Sequence, residues 1–197
     1  MGEDELVFEK KEQGEPALVI KLKDKKDLSD PRITNILMDV GISIETFTQL
    51  LNMPVKGTSK ETFNSRGVKI EDVVQEIINT PMGKAEIADV MLYKNAVAGQ
   101  DDMALHLKVG QTKGFEAIYV EEGEALLGFP KTVDPVAPGV YAASKQRDEI
   151  LLTPGTLAII PAPTANGWSK TGEGFKFRYI CQPPWNSTFV KPAIDAV

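Results

Sequence analysis

The sequence predicts a mainly β protein: an antiparallel sandwich or barrel in the C-terminal half, behind a smaller N-terminal α/β extension. Three observations predict it. From about residue 84 short β-prone runs recur between Gly and Pro turns, a single long connection interrupts them, and apolar residues at helical spacing occur only in the first half. The 197 residues, 42% hydrophobic and 25% charged, suffice for one core plus an appendage.

From the N-terminus, Glu5 to Glu9 and Ala17 to Leu22 are β-prone and flank Gln13-Gly14-Glu15-Pro16, a turn punctuated by Gly and Pro. They predict a hairpin. Lys23 to Asp30 is charged and aperiodic and reads as a loop closed by Pro31. Ser43 can cap a helix over Ile44 to Asn52. Ile70, Val73, Val74, Ile77 and Ile78 recur at steps of three and four, which predicts a second helix stopped by Pro81. Between them, Lys56 to Arg66 is polar and reads as either a loop or a third short helix. Residues 1–84 thus form the extension and 85–197 the β domain.

In the second half, Met103, Leu105, Leu107 and Val109 alternate with Ala104, His106 and Lys108, as in a half-buried strand. Further strands are predicted at Glu116 to Val120, Glu124 to Gly128, Glu149 to Leu152, Leu157 to Ile160 and Phe175 to Ile180. Pro130 to Asp148 has no helical pattern and holds Pro135, Pro138 and Gly139; it reads as a lid or as a mobile connection.

Composition excludes several function classes. The net charge is −6, shared as −4 over residues 1–95 and −2 over the rest, so neither half is built to hold a polyanion by bulk electrostatics. No apolar run approaches the roughly 20 residues of a membrane span, and Gly2-Glu3-Asp4-Glu5 is acidic where a signal peptide is basic. A cytoplasmic protein with no membrane association is expected. The single cysteine, Cys181, cannot form an internal disulfide, and the single histidine, His106, excludes most zinc, copper and non-haem iron sites.

Two segments of the second half resemble the cupins. In the first, Glu116 is followed by Tyr119-Val120 and then Gly123, as in the family's first motif. In the second, Pro154-Gly155-Thr156-Leu157-Ala158-Ile159-Ile160-Pro161 leads through Ala162-Pro163-Thr164-Ala165 to Asn166-Gly167-Trp168 and Thr171-Gly172-Glu173, tracking the family's second motif. The resemblance covers about residues 85–185 and implies a cupin-type antiparallel β-barrel, or jelly roll, and a homodimer.

The departures from the family bear on chemistry. The two histidines that precede the motif-one glutamate in a metal-binding cupin fall on Gly110 and Thr112, or on Val109 and Gln111 if the spacing is one longer. The motif-two histidine falls on Asn166. Of the four ligands that the resemblance implies, only Glu116 remains, so a tightly held transition metal or other cofactor is not expected.

By strand alternation Glu116 faces inward with Ile118 and Val120. A carboxyl group in such a barrel tends to a raised pKa and suits proton transfer; alternatively it pairs with a nearby amide or Lys. Asn166, Gln111 and Thr112 can orient a substrate through hydrogen bonds, Trp168, Tyr119 and Tyr141 can stack on it or pack, and Arg178 or Lys176 can anchor an anion or face solvent. His106 points away from the aliphatic face of its strand, and Cys181 reads as a buried inert thiol.

The functional expectation is a barrel that binds a small polar organic molecule. By the resemblance, it acts as a metal-independent isomerase, epimerase or dehydratase with Glu116 as the proton-transfer residue. Two alternatives are a non-catalytic binding or scaffold cupin and a ligand-sensing regulator. In the latter, Gly41 to Ile78 would be a helix-turn-helix with Val55 to Arg66 as recognition helix, although residues 41–79 carry four basic and five acidic side chains, a poor balance for DNA.

Overall fold

The computed structural model describes residues 8–9, 17–63, 66–93, 103–106, 114–137, 140–172, 174–185 and 190–195. The N-terminal part runs β1 (Phe8–Glu9), β2 (Leu18–Lys21), α1 (Pro31–Val40), α2 (Ile44–Asn52), β3 (Thr58–Phe63), β4 (Lys69–Thr80) and β5 (Gly83–Leu92). Then follow β6 (Met103–His106), β7 (Phe115–Glu122), β8 (Ala125–Pro130), β9 (Val133–Ala137), β10 (Val140–Ala143) and β11 (Arg147–Leu152). The last four are β12 (Thr156–Pro161), β13 (Ala165–Thr171), β14 (Phe175–Gln182) and β15 (Val190–Asp195).

The strands form two sheets, one ordered β1-β2-β12-β7-β14-β5-β4-β3 and the other β11-β8-β13-β6-β15-β10-β9. All described pairings are antiparallel except β10 with β15. Alternation along β7, β12 and β14 sends successive side chains to opposite faces, and each face has its own core. Ile118, Val120, Ala158, Ile160, Phe175 and Phe177 pack inward against Leu127, Phe129 and Leu152 of the second sheet. On the outer face, Phe115, Ala117, Leu157, Ile159 and Ile180 pack beneath the two helices.

The helices form where local chemistry marks their ends. The Asp30 side chain accepts a hydrogen bond from Arg32 N–H at 2.8 Å, Pro31 occupies the first turn, and Gly41 ends α1 at φ 84°, a left-handed conformation that glycine adopts without a Cβ penalty. Ile33, Ile36, Leu37 and Val40, one face at helical spacing, are buried; each contributes roughly 1.5–3 kcal/mol on leaving water. In α2, Ser43 caps Thr46 N–H at 3.2 Å as predicted, and Phe47, Leu50 and Leu51 are buried. The sequence reading of a loop closed by Pro31 overlooked α1, although the Asp30-Pro31 start and the Gly41 stop both mark it.

Residues 70–78, predicted helical, lie in β4. All five aliphatic residues there are β-branched and therefore suited to a strand. Their steps of three and four arise from two interleaved faces, with Val73 and Ile77 toward the second sheet and Ile78 on the helical core. Pro81 is the bend of a hairpin rather than a helix stop, since Thr80 pairs with Gly83. The Thr80 hydroxyl donates to Gly83 C=O at 2.7 Å and accepts from Met82 N–H at 3.2 Å.

Residues 58–63, placed in the recognition helix of the alternative reading, form strand β3, paired with β4 from Thr58↔Gln75 to Phe63↔Lys69. The helix-turn-helix reading therefore has no recognition helix. Pro130 to Asp148, predicted to be an irregular connection, contains the hairpin β9–β10, tied into the second sheet by Tyr141↔Ala193. Among the described residues no helix is long and apolar enough to cross a membrane.

Candidate functional site

The register of three neighbouring strands builds the site. β14 lies between β7 and β5, and Cys181 is opposite Glu116 on one side and Glu86 on the other. These side chains form a rung on the inner face, with the two glutamates two strand steps, or about 10 Å, apart at Cα. The next rung carries Ile118, Tyr179, Ala88 and Gln75, and the one above it Val120, Phe177, Val90 and Val73. Of these three rungs, the first carries Glu116, Cys181 and Glu86, the second Tyr179, and the third no ionisable side chain.

Glu116, Glu86, Tyr179, Trp168 and Trp185 line a cavity of about 630 Å³. Glu116 is 9% exposed and accepts a hydrogen bond from Asn166 Nδ2 at 3.2 Å across the barrel. Trp168 stands against Phe175 and Phe177 at ring distances of 5.2 and 5.3 Å, packing edge-on and tilted respectively, so its indole is fixed as a wall of the cavity. The flank formed by β3 and β4 is open: Lys60, Gln75 and Ile77 are exposed there.

Burial tunes the groups of this wall. It pushes the Tyr179 hydroxyl well above its ordinary pKa, with help from the neighbouring Glu116, so this group remains a proton donor in hydrogen bonds. Burial also holds the Cys181 thiol high. The thiol donates to Pro183 C=O at 3.1 Å, as befits an inert group. Burial likewise raises Glu86, opposed by the hydrogen bond from Trp185 N–H at 2.9 Å.

The structure brings together three of the residues singled out from sequence: Glu116, Asn166 and Trp168. Three others lie elsewhere. Arg178 is on the outer face: Nη1 donates to the carbonyls of Leu50, Leu51 and Met53 at 3.0, 3.3 and 2.9 Å, and Nε binds Asp89 at 2.6 Å. It holds the C-terminal end of α2 and does not reach the cavity. Tyr119 packs on the helical core with Lys25 Nζ 5.0 Å from its ring centroid. Tyr141 packs with Val133 and Ala143 in a satellite cluster. Gln111 and Thr112 lie outside the described residues, as does the side chain of His106.

Sequence reasoning missed Glu86, Tyr179 and Trp185 as site residues. Tyr179 and Cys181 were legible as same-face neighbours two apart on a strand, but Glu86 became visible only through the β5–β14 register. As metal ligands these groups fit poorly. Asn166 turns its amide N–H toward Glu116, the thiol is held protonated, and among the described residues no three His, Cys, Asp or Glu side chains converge as a metal cluster.

No protein-family model matches the chain, and no curated protein matches it in sequence. Its structural neighbours are cupin-fold proteins. Lactobacillus farciminis oxalate decarboxylase is 17% identical with TM-score 0.39, over 64% of this chain and 32% of its own. Ectoine synthase from P. lautus is 13% identical with TM-score 0.40, over 65% and 79%. An RmlC-like cupin from Desulfovibrio desulfuricans is 16% identical with TM-score 0.33, over 57% and 84%. The chain therefore spans about a third of the oxalate decarboxylase, and overlaps this loose carry no activity across. By its two packed sheets, antiparallel but for β10 with β15, and its motif residues from Pro154 to Trp168, the chain has a cupin-type fold.

Proposed function

We propose that the barrel binds a small polar organic molecule and transforms it by side-chain acid–base chemistry, as an isomerase, epimerase or dehydratase does, without a tightly held transition metal. One observation carries this reading: Glu116, oriented by Asn166, sits in the wall of the cavity, one rung from the Tyr179 hydroxyl. Glu116 takes a proton from the substrate and returns it. Tyr179, held in its protonated form, donates a hydrogen bond to the substrate oxygen on which charge develops. Trp168, packed against Phe177, walls one side of the cavity.

The test works with an unidentified substrate. The protein is incubated with pooled small metabolites in D2O, and loss of C–H signals or appearance of isomers is followed by NMR. Wild type is expected to exchange or convert at least one compound, and Glu116→Gln to slow it by about 10²–10⁴-fold without loss of fold. Unchanged turnover in that variant removes Glu116 from the mechanism. Saturable binding with no exchange in wild type favours the non-catalytic binder, a reading supported by the Asn166 bond that already engages Glu116.

A further inference from the structure

We propose that the ligand of this barrel is an organic cation, a compact ammonium or guanidinium compound, seated between Glu116 and Glu86 and faced by the rings of Trp168, Tyr179 and Trp185. The inference rests on the barrel being the binding site and names the class of molecule it takes.

The charge inventory of the cavity points this way. Among the described residues that line it, three carry carboxyl side chains, Glu71, Glu86 and Glu116, against one cation, Lys60, which is exposed on the open flank. The two other basic residues of the adjoining strand β14 are committed elsewhere. Arg178 binds α2 and Asp89 on the outer face, and Lys176 pairs with Glu121 at 3.1 Å and Glu122 at 3.5 Å. A low-dielectric cavity whose charged groups are mostly acidic concentrates cations and repels anions. Glu86 has lost hydration to burial, and a bound cation restores what water no longer supplies.

The remainder of the lining suits an organic cation. Both tryptophans of the chain line the cavity, and with Tyr179 they offer π-faces that attract ammonium and guanidinium groups. Ala88, Val90 and Phe177 supply apolar surface for a carbon skeleton. The two inner glutamates stand two strands apart with Cys181 between them, which matches a molecule that spans the rung better than a point charge coordinated at metal distances.

Because the only two tryptophans line the cavity, intrinsic fluorescence reports directly on its occupancy. Wild-type protein would be titrated with choline and butylammonium, with their uncharged counterparts 3,3-dimethylbutan-1-ol and butan-1-ol, and with butyrate. The cations are expected to give saturable changes and to bind about tenfold more tightly than the neutral isosteres. Glu86→Gln, which keeps size and shape, should remove most of that preference. A response to the neutral or anionic probes that equals or exceeds the response to cations overturns the inference and leaves the barrel as a binding site. Silence toward all three classes overturns both. Full retention of cation preference in Glu86→Gln also overturns the assigned seat.

Discussion

The two faces of the sheet β12-β7-β14-β5 carry polar groups of the same kinds and use them in opposite ways. On the outer face Arg178 is 5% exposed, and its guanidinium bonds to three carbonyls at the end of α2 and to the Asp89 carboxylate. Charge there is matched and serves attachment. On the inner face Glu116, Cys181, Glu86 and Tyr179 share a wall with hydrophobic residues, and burial raises the pKa values of Glu86, Tyr179 and Cys181. Compensated polar groups fix architecture; desolvated ones facing a cavity are poised for ligand chemistry. Which of these a residue becomes is decided by strand parity: Arg178 and Tyr179 are adjacent in sequence and lie on opposite faces.

The largest effect expected from breaking the outer face comes from its aromatic contact. Phe47 is fully buried with its ring centroid 6.2 Å from that of Phe115, joining α2 to β7. Phe47→Ala should cost about 3–5 kcal/mol, read as a lower denaturant midpoint. A smaller loss is expected from Arg178→Met, which keeps the aliphatic stem but orphans the α2 carbonyls and Asp89. Asp89 is 34% exposed, so water offsets part of the loss and about 2–3 kcal/mol remains. Both variants should retain the fluorescence response of any cavity ligand under conditions where they stay folded. Loss of that response by folded Arg178→Met would show that the faces are coupled and would break the comparison.

Much of this division was legible in the sequence. Ser43 announced α2, the alternation of Glu116 with Ile118 and Val120 placed that carboxyl inward, and the motif from Pro154 to Trp168 placed Asn166 near it. What escaped depends on tertiary partners. The β-branched run from Ile70 to Ile78 satisfies a helical period and a two-faced strand equally well, and only pairing with β3 and β5 selects the strand. Arg178 could not be assigned to a face without knowing which parity of β14 met the helices. Glu86 lay outside the matched motifs, and its membership of the site is a consequence of register alone.

The smallest effect, confined to one pH range, tests the inner face by itself. Burial raises the Glu86 pKa above its ordinary value near 4.5, so between that value and the raised one the folded chain binds more proton than the unfolded chain. Stability from this group is therefore fully present below the ordinary value and is lost as pH rises through the folded value. Glu86→Gln removes the titration while keeping an oxygen for the Trp185 N–H bond. Its melting temperature relative to wild type should be nearly unchanged at about pH 4 and higher at about pH 8. Measuring the difference between the two proteins cancels every carboxylate not coupled to Glu86, which matters because Glu121 and Asp30 are held low by their ion pairs and shift stability with the opposite sign. A variant less stable at the higher pH would mean that the Glu86 carboxylate is compensated as Arg178 is, and the distinction between the two faces would fail at this residue.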